Sequence, residues 1–288
     1  MDLGSLQNRA ASRDLIGVIG DIPNEVYRAA PGTSRSDLDY VDQSLAHYLH
    51  FKETGIKATA KMAEGTWFHT LLLEPHRVEK EWVLIEEGVN WGTKAYLEIQ
   101  KGNEGKTCVA QDVFARLMKM RANALRKPRV VQYLEGFKEL SAWATDPATG
   151  LLCKVRPDIY QSDLRFLIDL KTTGDASPKE FARSVANFGY HRQAAYYLDI
   201  FNHATRQEAK RKFGTDPGDA VDSFIFVAVE NVEPYDCAIY VLGYEELQLG
   251  RTLYQRDLAA LAAAQGAGVY PGYSDEIATL TLPSYAFY

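Results

Sequence analysis

Cysteine is scarce in this 288-residue chain, and its three residues, Cys108, Cys153 and Cys237, are odd in number and widely spaced. They form no disulfide framework and fall short of the four thiolates of an iron–sulfur cluster, so buried thiols in a reducing compartment are expected. Long hydrophobic runs are missing as well. The longest, such as residues 223–229 and 259–264, are far below the roughly 20 residues that span a bilayer. No basic-then-apolar leader opens the chain, and the expectation is a soluble, cytoplasmic protein with no membrane contact. GxxxxGK, HExxH and GxSxG are absent, which removes intrinsic ATP-driven translocation and two large hydrolase classes. The net charge of −6 excludes a protein that coats nucleic acid over its whole surface, because neutralising phosphates takes clustered Lys and Arg.

What remains is an ordinary globular balance, 46% hydrophobic and 24% charged, enough for a sizeable core. No repeat or long linker interrupts it, so one domain over 1–288 is expected, helical over about 1–130 and sheet-based over about 131–288. Pro31-Gly32-Thr33-Ser34 reads as a turn supplying helix caps, followed by Leu38, Val41, Leu45 and Leu49 at helical spacing. Helices are predicted over 59–73, stopping before Pro75, and over 111–127. The period then changes to two: 140–145, 151–160 and 166–171 read as consecutive strands. Helices follow over 178–185 and 190–210, then strands near 223–229 and 236–242, then a helix over 244–264. The sum is an α/β chain with a mixed central sheet flanked by helices.

Basic residues gather in two places, Arg116, Lys119, Arg121, Arg126, Lys127 and Arg129, then Arg206, Lys210, Arg211 and Lys212. Each group reads either as a solvated helix face or as part of a local phosphate-binding channel. The pair His47 and His50 has ligand spacing on a helix, but no Cys or acidic partner completes a zinc site, and packing is expected.

The informative stretch is Arg156-Pro157-Asp158, ten residues, then Asp169-Leu170-Lys171. In a strand, Asp169 and Lys171 project to one face, and a hairpin through 161–163 returns Asp158 beside them. Two adjacent carboxylates repel unless a cation neutralises them, and hard oxygens suit Mg²⁺. The bland alternative is an Asp169–Lys171 salt bridge at a sheet end.

Pro157-Asp158 with Asp169-x-Lys171 resembles the PD-(D/E)xK nuclease signature, with Asp for the commoner Glu. Gly65-Thr66-Trp67-Phe68-His69 resembles the GTxxH helix of RecB-like nucleases, and Gln193-Ala194-Ala195-Tyr196-Tyr197 resembles their QxxxY motif. Gly65 within a helix costs roughly 1 kcal/mol against Ala, which points to close backbone approach or function. With Pro31 to Ser36, Lys154 to Asp158, Ile168 to Thr173, Tyr190 to Gln193 and Pro271 to Ser274 added, the chain is similar over nearly its whole length to RecE-like exonucleases of the exonuclease VIII type.

That resemblance implies a restriction-endonuclease-like core and Mg²⁺-dependent digestion of linear double-stranded DNA ends, 5′ to 3′, in phage-type recombination by single-strand annealing. It implies a metal site of His69, Asp158, Asp169 and the Leu170 carbonyl holding two Mg²⁺ ions. Mn²⁺ is expected to work too, since an imidazole ligand admits it. Lys171 would orient the attacking water, acting with Asp158 and Asp169. Gln193 and Tyr197, one turn apart on a helix, are candidate DNA contacts. Arg35 and Ser36 are candidates at a helix N-terminus, where capping is the competing reading. A homo-oligomeric ring, tetramer or trimer, and a RecT-like annealing partner are implied likewise. Two rivals stand beside it, a structure- or site-specific endonuclease of the same fold and an inactive DNA-binding scaffold.

Overall fold

A computed structural model describes residues 2–11, 15–55, 58–216, 218 and 220–282. The first half runs α1 (Leu3–Ala11), β1 (Gly17–Ile19), α2 (Asn24–Ala29), α3 (Arg35–Gln43), α4 (Leu45–Thr54), α5 (Ala60–Leu73), α6 (Pro75–Glu81), β2 (Trp82–Ile85), α7 (Lys94–Lys101), β3 (Thr107–Ala110), α8 (Gln111–Leu125) and α9 (Pro128–Tyr133). The second half runs β4 (Phe137–Lys138), β5 (Ser141–Thr145), β6 (Leu152–Val155), β7 (Ile159–Gln161), β8 (Phe166–Thr173), α10 (Pro178–Asn187), α11 (Tyr190–Phe213), β9 (Ser223–Glu230), β10 (Cys237–Val241) and α12 (Tyr244–Ala267).

Five strands form the central mixed sheet in the order β10-β9-β8-β7-β4, with β8 and β9 parallel and the other pairs antiparallel. β9 is a nearly continuous apolar run, and β8 opens on one before Asp169 and Lys171, because both of their faces are covered. Leu167, Phe224 and Phe226 face a core with α10, α11 and α12. Ile168, Leu170, Ile225 and Val227 face a second core with α5, α8 and α9. β1-β5-β6 form a separate sheet. All three cysteines are buried and free, and no helix among the described residues is long and apolar enough to cross a membrane.

Two segments differ from expectation. Residues 151–160, read as one strand, are β6 and β7 in different sheets, parted at Pro157, which has no N–H for a ladder and restricts the residue before it. The helical run through Leu38 and Leu49 is two helices, because the Ser44 hydroxyl accepts the His47 N–H and starts α4 afresh. The 82–85 and 107–110 strand pair went unrecognised, since four-residue apolar runs carry no clear period.

The cations around the PD motif hold the chain together. Lys154 Nζ donates to the carbonyls of Tyr27, Arg28 and Ala30 at 2.9, 3.1 and 2.6 Å. Arg156 donates to Ser141 Oγ at 2.8 Å and to the Ile22 carbonyl, its guanidinium over the Tyr27 ring. Buried Arg192 joins α11 to α3 and α12 through Asp39, Asp42 and Asp257. α12 crosses α11 at buried Gly250, where a Cβ would run into the His191 carbonyl oxygen. Gly250→Ala is therefore expected to lower unfolding stability by about 1–3 kcal/mol, measured by denaturant titration. An unchanged midpoint would mean that the helices part freely.

Candidate active site

β7 pairs with β8 in antiparallel register, Ile159 opposite Ile168, so one step further the hairpin sets Asp158 opposite Asp169. α5 delivers the imidazole from the second core. The Thr59 hydroxyl accepts the Met62 N–H to start this helix, and Trp67, Phe68, Leu71 and Leu72 bury its other face. His69 is thereby turned to the open end of the hairpin.

The four expected residues converge. His69 Nδ1 lies 3.4 Å from Asp158 Oδ1, and Asp158 Oδ2 accepts the Leu170 N–H at 2.6 Å. Asp169 Oδ1 accepts from Gln193 Nε2 at 2.6 Å, while Asp169 Oδ2 pairs with Lys171 Nζ. Lys171 Nζ also sits 4.6 Å from the centre of the Tyr190 ring. The Asp169–Lys171 ion pair is thus real, and it stands inside a larger cluster.

Burial and charge set the protonation pattern. Burial opposes the charged imidazole of His69, but the Asp158 carboxylate outweighs it and raises the group to about 9. Burial likewise opposes ionisation of Asp158, yet His69, Lys171 and the Leu170 N–H hold it below the usual carboxylate range. Asp169 moves the other way, raised by burial and by the negative charge of Asp158 against the pull of Lys171. Two acids in one enclosure separate in this manner.

Among the described residues, no three His, Cys, Asp or Glu side chains close around a cation by themselves. The donor set nevertheless fits one. Asp169 Oδ2 is buried and faces the Lys171 ammonium, so a cationic charge already balances this interior carboxylate oxygen, a hard donor of the kind an oxygen-seeking metal ion takes. Asp158 and His69 stand close enough to act on the charge of Asp169, and the Leu170 N–H holds Asp158 in place.

The remaining candidates have local partners. Ser34 closes a capping box with Asp37 at the start of α3, so its hydroxyl serves the helix, with half-buried Ser36 in the same turn. Arg35 pairs with Asp39 at 2.8 Å and donates to the Phe188 carbonyl, at the turn that leads into Tyr190. Tyr197 packs edge-on against Phe224, 5.9 Å between ring centres. Glu64 of α5 pairs with Arg116 at 2.8 Å, and Lys119 and Lys127 reach Glu233 and Asp236, which commits part of the first basic group to ion pairs. In the second, Lys212 meets Glu208. His47 packs against Tyr273 and meets Ser44 Oγ at 2.6 Å, as expected of a structural residue.

Sequence reasoning missed Glu139. Its backbone N–H donates to the Asp158 carbonyl at 3.0 Å, in a left-handed conformation at φ +53. Burial and the Asp158 charge push its carboxyl up to about 7. No motif marks it, because the β4–β5 connection brings it in from nineteen residues upstream of Asp158.

The family profile described as "PDDEXK-like domain of unknown function (DUF3799)" matches residues 34–283. The chain belongs to this PDDEXK-like family. The PDDEXK-like fold is also that of a solved chain from Eubacterium rectale described as a "Putative exonuclease", matching at TM-score 0.56 and 15% identity over 93% of this chain and 98% of that one. At that identity the likeness shows the fold alone. A second solved chain, SSO0001, matches at TM-score 0.28 and 12% identity over 74% and 84% of the two chains, too loosely to carry weight. No curated protein matches the chain.

Proposed function

We propose that this PDDEXK-like protein is a Mg²⁺-dependent exodeoxyribonuclease acting on linear duplex DNA, RecE-like and working 5′ to 3′ as one nuclease domain. The observation that carries the reading is the convergence of His69, Asp158, Asp169 and Lys171 in one linked cluster at the open end of the hairpin. The described exonuclease among its structural neighbours supports it. His69, Asp158, Asp169 and the Leu170 carbonyl would hold the metal, for which Mn²⁺ is expected to substitute. Bound divalent ions supply Lewis-acid polarisation of the phosphoryl group and a more acidic water.

The chain's own groups do the rest. The hydrogen bonds to Asp158 from Leu170 and to Asp169 from Gln193 fix both acids in advance, so little reorganisation is needed when substrate arrives. Lys171, on the same strand face as Asp169, orients the attacking water and favours its deprotonation. Gln193 and Tyr190 act as positioning residues, the one through Asp169 and the other beside the Lys171 ammonium. Tyr197, Arg35 and Ser36 are proposed DNA contacts. A tetrameric or trimeric ring, a RecT-like annealing partner and a cytoplasmic site rest on the sequence resemblance.

The test is digestion of duplexes labelled at the 5′ or 3′ end, beside closed circles, with and without Mg²⁺. Release of nucleotides from linear duplex only, from the 5′ end and only with metal, is expected. Cut circles would favour an endonuclease, and no release at all would favour a binding scaffold.

A further inference from the structure

Beyond Lys171, the end of β8 opens into a cavity of about 250 Å³ that no step above uses. Its walls include Gly65 of α5, Thr172 and Thr173 of β8, Ser184 and Phe188 at α10, and Tyr190. We infer that this cavity receives one unstacked nucleobase of the DNA strand being cut, with Phe188 as the surface on which the base stacks. The inference rests on the nuclease reading and deepens it.

Position comes first. The Tyr190 ring forms part of the wall and also lies under the Lys171 ammonium, so the cavity and the catalytic cluster share a boundary. A strand whose phosphate reaches Lys171 has its neighbouring base within reach of this opening. Size agrees. Pockets for drug-sized ligands run from about 300 to 1,000 Å³, and this one is scaled to a single ring system.

The lining has the chemistry of base recognition. Phe188 is a large apolar side chain left 59% exposed, tilted against Tyr190 with 5.7 Å between ring centres. It is held at a rigid turn, since Arg35 binds its carbonyl and Gly189 follows in the left-handed conformation at φ +63. Every base has a π face, so such a platform tolerates sequence. Thr172, Thr173, Ser184 and Asn231 add hydroxyl and amide groups that meet either kind of base edge. Lys61 on the rim has no ion-pair partner among the described residues, which leaves it for a backbone phosphate. The acidic Glu64 in the lining is neutralised by Arg116.

Gly65 fits the same account. The close approach anticipated from a glycine within α5 is not there, because a Cβ would meet only Thr172 Oγ1 at 3.6 Å, an ordinary contact. Packing does not demand the glycine. Its missing side chain widens the cavity.

The experiment compares wild-type protein with Phe188→Leu, which keeps bulk and removes the ring, and Phe188→Trp, which keeps a stacking face. With linear duplex and Mg²⁺, Phe188→Leu is expected to raise KM about tenfold with kcat little changed, the size of one lost base stack, and Phe188→Trp to restore it. A second readout needs no hydrolysis: duplex carrying 2-aminopurine in an unpaired overhang at its end, where the base starts bright, should lose fluorescence when bound to Lys171→Met protein as the base stacks on Phe188, and adding Phe188→Leu should return it. Normal digestion with KM and quenching indifferent to residue 188 overturns the inference and leaves the nuclease reading intact. Absent digestion with quenching that depends on Phe188 supports the base site and overturns the nuclease reading. Absence of both overturns both.

Discussion

Replacing Asp169 by Asn is expected to lower nucleotide release from linear duplex by on the order of 10³-fold or more, the scale of losing a group that acts in the transition state. The substitution preserves shape, and Asn can still accept from Gln193 Nε2, which now bonds Asp169 Oδ1 at 2.6 Å. What it removes is the negative charge and the carboxylate oxygen that pairs with Lys171. Metal affinity should fall with activity, while thermal unfolding and binding of duplex in the absence of metal should stay near wild type. Assays are digestion of end-labelled duplex and Mn²⁺ titration. Undiminished turnover in Asp169→Asn would refute the site.

Lys171→Met separates the cation from the acids. Loss of a group that moves or orients a proton in the transition state costs typically about 10²–10⁴-fold, and that range is expected in kcat. The metal titration should here remain close to wild type or tighten, because Asp169 no longer has an ammonium competing for Oδ2. The two variants thus predict opposite metal behaviour with similarly depressed activity. Weakened metal binding in Lys171→Met would show that this residue organises the acids and has no part in handling water.

The sequence carried the helices best, where local chemistry decides the boundary. Thr59 starts α5 and Pro75 follows its end, as the cap and the proline require. The hairpin was legible because β8 has period and turn in the right places, and its register then fixes Asp158 opposite Asp169 without further information. His69 was reachable only through resemblance, since nothing local says that α5 crosses the end of that hairpin. Glu139 and the cavity were not legible at all. Both are made by segments distant in sequence, and the cavity depends on where α5, α10 and β8 happen to leave space. Lys154 and Arg156 would have been credited to DNA on charge alone; their burial and carbonyl partners assign them to the scaffold.

The bond from the Leu170 amide to Asp158 has an evolutionary side. β7 and β8 are paired only up to Ile159 and Ile168, so the carboxylate stands in for a missing rung, and deleting it would strand a buried amide at a cost of about 1–3 kcal/mol. Lys171 fills no such gap. In a lineage released from the need to cut DNA, the lysine should therefore erode early and the aspartate persist, so a preserved residue 158 says little about activity when residue 171 has changed.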